Sequence, residues 1–187
     1  MQVMKTAAVF LDRDGTINEE VGYLDRLERL TIYPQAGAAI QRLNESGLKA
    51  LVVTNQSGVA RGYFTECFLI GLHRHIQQLL AAEGAYLDGF YYCPHHPEAR
   101  CRCRKPETGM LLTAAADFGV DLGRSYLIGD TLKDMETAEK AGVKGVLVRT
   151  GYGREAEAAM PAAGIGPVHV AADILAAVNW LIRDRKQ

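Results

Sequence analysis

Residues 7–17 read A-A-V-F-L-D-R-D-G-T-I. An apolar run, 7–11, leads straight into an acidic pair and a D-G turn, the pattern of a buried strand that stops abruptly in a loop. Asp12 and Asp14 leave this strand two positions apart. At the carboxyl end of a strand their carboxylates converge on the edge where open α/β sheets take ligands. With only Arg13 between them the acids repel, and a hard, oxygen-ligated cation such as Mg²⁺ relieves the repulsion. The competing reading is a surface turn with two solvated acids.

The same grammar repeats outward from this strand. Pro34 opens a helix with Ala36, Ala39, Ile40 and Leu43 on one face, closed by Gly47. Residues 49–53 read as a second strand that runs into T-N-Q-S-G (54–58), whose amides and hydroxyls can wrap an anion. Arg61 adds a charge for a phosphate or carboxylate. Thr65 caps a helix that turns Leu69, Leu72, Ile76, Leu79 and Leu80 to the core, with His73 and His75 on different faces as structural or solvated residues. Residues 89–92, 125–128 and 145–149 are further strands, 168–170 a short edge strand, and 109–118 a helix. The last helix buries Ile174, Leu175, Val178, Leu181 and Ile182. Strands alternating with helices give an α/β, Rossmann-like parallel sheet with helices on both faces. Every candidate site then follows a strand and gathers at one sheet edge. Residues 19–30, charged and centred on Gly22 and Tyr23, form a loop that reaches over that edge or simply connects.

A chain of 187 residues suits one domain spanning 1–187, long enough to bury a core. The net charge of −1 offers no attraction to nucleic acid or to an anionic membrane. No apolar run reaches membrane-spanning length, and the N-terminus lacks a signal-peptide apolar stretch, so a cytoplasmic monomer is expected.

Three constellations carry chemistry. Asp130 follows the fourth strand in G-D-T-L-K-D (129–134) and can complete an oxygen-lined metal site with Asp12 and Asp14. Asp134 either caps the next helix with Thr131 or supports the metal from behind. Lys105 supplies a compact charge for phosphate oxygens or for holding a carboxylate ionised. Cys93, His95, Cys101 and Cys103 place three thiols and an imidazole in one short loop, the ligand set of a closed, structural zinc site. His95 is preferred to His96 because it repeats the one-residue gap of Cys101 and Cys103. That Zn²⁺ would hold the loop delivering Arg104 and Lys105. Cys67 stands apart as a buried thiol.

D-R-D-G-T (12–16), Thr54, Lys105 and G-D-x-x-x-D (129–134) resemble, in order, the motifs of the haloacid dehalogenase-type phosphatases. The resemblance implies a capless core of that type, with Asp12 as nucleophile and Asp14 as general acid/base. It further implies Mg²⁺ on Asp12, the Asp14 carbonyl and Asp130, and phosphate oxygens on Thr54 and Lys105. N-Q-S-G-V-A-R-G (55–62), the zinc loop 93–103 and C-R-K-P (103–106) are most similar to the branch that dephosphorylates heptose bisphosphates, with histidinol-phosphate phosphatases as the neighbouring branch. This similarity implies a sugar bisphosphate as the small-molecule partner, touched by Glu20, Val21, Gly22, Tyr23, Asn55, Gln56, Ser57, Arg61, Arg104 and Thr131. Two features depart from the branch. The zinc loop is shorter than in some members, and Thr131 stands where members often carry Lys.

Overall fold

In the computed structural model, which describes residues 5–185, the opening strand is the centre of the molecule. β1 (Ala8–Leu11) is buried at all four positions. It pairs in parallel with β2 (Lys49–Asn55) on one side and β4 (Tyr126–Gly129) on the other. β3 (Gly89–Cys93), β5 (Lys144–Val148) and β6 (His169–Ala171) extend the sheet to the order β3-β2-β1-β4-β5-β6, all parallel. The α/β expectation therefore holds. The readings of the extreme N-terminus and of the ends of the span 1–187 touch residues outside those described.

Alternation along the strands sorts the helices into two layers. Val9, Leu11, Ala50 and Val52 pack with α1 (Ala36–Glu45), α2 (Glu66–Ala82) and α6 (Ile174–Asp184). Ala8, Phe10, Leu51 and Val53 point the other way, to α3 (Gly109–Phe118) and α4 (Leu132–Ala141). α5 (Gly153–Ala163) closes that second face through Ala156 and Met160 against Leu147. Among the described residues the long excursions from this alternation are 12–35 and 94–108. From β1 the chain builds outward through β2 and β3, then returns to β4 on the opposite side. The β1/β4 boundary is thus the topological switch point, where a crevice opens beyond the strand ends. Asp12 follows β1 and Asp130 follows β4 directly.

Several local expectations are corrected. Leu79 is 39% exposed, because the buried stripe of α2 runs through Leu69, Leu72, His73, Ile76 and Leu80 and leaves it at the margin. Leu175 and Ile182 are only partly buried, and Ala177 takes the core position between Ile174 and Leu181. Cys67 is exposed rather than buried, since the first turn of α2 presents it away from that stripe. α5 went unread: its Ala- and Glu-rich stretch carries a weak apolar period and a proline, Pro161, yet Ala156 and Met160 suffice to seat it.

Candidate active site

The switch point gathers four charged side chains. Lys105 Nζ lies 3.0 Å from Asp12 Oδ1 and 2.6 Å from Asp134 Oδ1, and its side chain is 2% exposed. Burial opposes the ammonium, yet Asp12 and Asp134 on either side hold it charged and raise its pKa above the usual lysine value. Burial pushes Asp12 up to about 7 although Lys105 pulls it down. Asp130 is pushed up to about 9, by burial first and then by the neighbouring Asp12 and Asp134. Its Oδ2 accepts from the Tyr152 amide at 2.8 Å, while its Oδ1 is buried without a partner.

Asp12, Asp130 and Asp134 each bring a carboxylate oxygen within 4.8 Å of the others. Three acids against one lysine, with Asp130 Oδ1 orphaned, fit a hard divalent cation, although both Asp134 oxygens are already taken by Lys105 and Thr131. The backbone is shaped around this cluster. A Cβ on Gly15 would stand 2.0 Å from Asp130 Oδ2, and one on Gly151 would stand 2.1 Å from it. Both glycines also have positive φ, 78° and 54°, so side chains there are excluded twice.

Asp134 resolves its two alternatives by doing more than one thing. Its Oδ2 accepts from the Thr131 amide at 3.0 Å, and Thr131 Oγ1 accepts from the Asp134 amide at 3.3 Å, a complete capping box. Its Oδ1 meanwhile holds Lys105.

Asp14 does not share the point on which Asp12 converges. Its carboxylate accepts from Arg13 Nε at 3.1 Å and Nη2 at 2.7 Å, from Asn18 Nδ2 at 2.9 Å and from Gln56 Nε2 at 2.8 Å. Burial alone would raise its pKa, but the Arg13 guanidinium and the two amides hold it below the usual carboxylate range. The reason is Arg13, which lies buried between the two acids and takes one of them.

Asp12, Asp14, Lys105 and Asp130 floor a cavity of about 330 Å³. Thr54 lies beside them, its Oγ1 accepting from Gln56 Nε2 at 2.8 Å. Glu20, Gly22 and Tyr23 form one wall, Asn55, Gln56 and Ser57 a second, and Arg104 and Thr131 a third. The Tyr23 ring meets the Tyr63 ring edge-on at 4.6 Å; of residues 19–30, only Glu20, Gly22 and Tyr23 line the cavity. Val21 and Arg61 are not among the lining residues, and Arg61 is exposed. Asn55 clamps the Lys105 backbone in both directions, at 3.1 and 3.0 Å, and so braces the neighbouring loop. Sequence reasoning missed Lys133 and Tyr152, which also line the cavity. Lys133 sits two positions beyond Thr131 in the first turn of α4, and Tyr152 lies between Gly151 and Gly153, just before α5.

Cys93, His95, Cys101 and Cys103 form a second cluster, with Sγ atoms 3.3–3.5 Å apart and His95 Nδ1 3.2 Å from Cys103 Sγ. Their ligand atoms all lie within 4.8 Å of one another. Three thiols and an imidazole around one point fit a closed tetrahedral zinc site. His96 is spent elsewhere, accepting from the Glu98 amide at 3.4 Å.

A family model described as HAD-hydrolase-like matches residues 102–177. The D-glycero-D-manno-heptose-1,7-bisphosphate 7-phosphatase of Thermosynechococcus vestitus is 42% identical over 189 residues, 95% of this chain and 96% of its own. The D-glycero-beta-D-manno-heptose-1,7-bisphosphate 7-phosphatase of Haemophilus ducreyi is 44% identical over 82% of this chain and 89% of its own. Among solved structures, the D,D-heptose 1,7-bisphosphate phosphatase of B. bronchiseptica, complexed with magnesium and phosphate, superposes with a TM-score of 0.89 at 33% identity, covering 96% of this chain and 99% of its own.

Proposed function

The chain belongs to the haloacid dehalogenase-like hydrolases, in the family of D-glycero-D-manno-heptose-1,7-bisphosphate 7-phosphatases, and from that membership we propose that it removes the 7-phosphate of this sugar bisphosphate through a phosphorylated Asp12. The observation that carries the chemistry is Lys105 Nζ 3.0 Å from Asp12 Oδ1 on the cavity floor. An Asp12 oxygen attacks phosphorus, and the bond to the sugar oxygen breaks. Asp14, a carboxylate in the free site, takes up a proton with the incoming substrate, gives it to that oxygen, and then takes one from the water that attacks phosphorus and frees Asp12. Lys105 opposes the burial that pushes Asp12 up, favours its carboxylate and, with Thr54, receives phosphoryl oxygens. Mg²⁺, held by Asp12, the Asp14 carbonyl and Asp130, would offset the negative charge of the phosphoryl group. Glu20, Tyr23, Ser57 and Arg104 face the sugar and its remaining phosphate. Zn²⁺ on the four Cys and His ligands would fix the loop that carries Arg104 and Lys105. Among the described residues no helix is long and apolar enough to cross a membrane.

The substrate is tested by comparing kcat/KM for heptose 1,7-bisphosphate and histidinol phosphate, with Mg²⁺ present and then chelated. The expected result is a preference for the heptose of about 100-fold or more, lost on chelation. Preference for histidinol phosphate would keep the nucleophile and discard the substrate.

Metal binding is expected to be proton-coupled. Asp130, pushed up to about 9, keeps its proton at neutral pH in the metal-free fold, whereas the unfolded chain releases it in the ordinary carboxylate range. The folded state thus binds more protons than the unfolded one across that interval, so metal-free stability falls as pH rises toward 9. A cation must displace the proton, so Mg²⁺ affinity rises with pH, by up to about tenfold per unit for one proton. Titration calorimetry at pH 6 and 8.5 checks this; equal affinities would refute it.

A further inference from the structure

His73 has no part in the chemistry above, yet it ends a chain of contacts that begins at Asp14. Arg13 is buried, 1% exposed, and its guanidinium is divided between two partners. Nε and Nη2 hold the Asp14 carboxylate, while Nη1 lies 3.2 Å from His73 Nε2. An arginine can only donate, so this His73 nitrogen accepts and the ring proton is on Nδ1. The imidazole is itself fixed. It is 5% exposed, stacks on Phe90 at 4.6 Å and 17°, and leans on Tyr92 at 5.7 Å.

Without His73 the guanidinium would keep its grip on Asp14 but leave Nη1 buried and unpaired, a cost it would relieve by shifting. With both sides engaged, its fork has one orientation, and so does the carboxylate it grips. Asn18 and Gln56 each touch Asp14 through one amide hydrogen bond, whereas the Arg13 contact is bidentate and sets the carboxylate plane.

We propose that His73 is a positioning residue for proton transfer: it locks Arg13, and through Arg13 it aims Asp14 at the leaving oxygen. The proposal rests on the assignment of proton transfer to Asp14. A side chain that merely fills the core would lower every activity together. One that aims a general acid matters only where the leaving group needs a proton. A sugar alkoxide needs one; a nitrophenolate leaves without it.

The test is the ratio of kcat/KM on heptose 1,7-bisphosphate to that on p-nitrophenyl phosphate. In His73→Leu, which fills the space without an acceptor, this ratio is expected to fall about 10-fold. In His73→Gln, whose carbonyl can accept from Arg13, it stays near the wild-type value. If His73→Leu fails to fold by circular dichroism, His73→Ala is read the same way. A ratio unchanged in the variants lacking an acceptor overturns the proposal, whatever the absolute loss. Asp14→Asn separates the two levels. If its ratio falls and that of His73→Leu does not, only the positioning role is lost; if neither falls, the reading of Asp14 fails and takes the proposal with it.

Discussion

Asp12→Asn is expected to lower kcat by about 10⁴-fold or more while leaving the fold intact. An amide has the shape of the carboxylate but no charge to attack phosphorus, so the covalent step loses its nucleophile. What remains is the rest of the cavity, with Lys105 and Thr54 placed but nothing to accept the phosphoryl group. The stability effect separates this from unfolding. Burial and the neighbouring Asp134 and Asp14 push Asp12 up to about 7, so its charge is a cost in the metal-free fold. Removing that charge leaves Lys105 its 2.6 Å pair with Asp134. Melting of the metal-free variant is therefore expected at or above the wild-type temperature. Turnover within tenfold of wild type, measured on purified protein with saturating Mg²⁺, would exclude Asp12 as nucleophile.

Much of this arrangement was legible because the chemistry sits where strands end. A buried parallel strand is a dense apolar run, and the first polar residues after it must lie at the sheet edge. Asp12 and Asp130 were found in that way, directly after β1 and β4, while Thr54 and Cys93 are among the last residues of β2 and β3 and the other Cys and His residues of the cluster lie shortly beyond β3. Helix faces were less secure. Leu79 and Leu80 are equivalent in composition, and only the angle at which α2 packs decides which one is buried. Side-chain direction was less legible still. D-R-D suggests two acids converging on one cation, but a buried arginine between them can claim one, and Arg13 does. His73 illustrates the same limit. Its spacing on α2 gave only its face; that Arg13 meets it there depends on how the loop after β1 turns its side chain.

Cys103→Ala is expected to abolish zinc binding and to lower kcat/KM by about 100-fold. Cys103 stands two residues before Lys105, so the Cys/His cluster and the lysine beside Asp12 share one short segment. Burial pushes the Cys93 thiol up to about 12, which means that it keeps its proton unless a cation stands beside it. Cys103 is raised by burial as well, whereas hydrogen bonds from Cys103 and Cys93 hold Cys101 down to about 7 against its burial, so binding zinc must release the protons of Cys93 and Cys103. Loss of one ligand leaves a thiol pair and an imidazole that hold the ion poorly, and segment 93–105 loses its tie to the end of β3. A second tie remains in the Asn55 clamp on the Lys105 backbone. Each tie restrains the same lysine, so the two are coupled: adding Asn55→Ala to Cys103→Ala is expected to cost more than the sum of the separate losses. Zinc content by metal analysis and kcat/KM for all three variants decide the matter. Full activity in a zinc-free Cys103→Ala protein would leave Lys105 placed by the Asn55 clamp and the surrounding core alone, and would detach the cluster from catalysis.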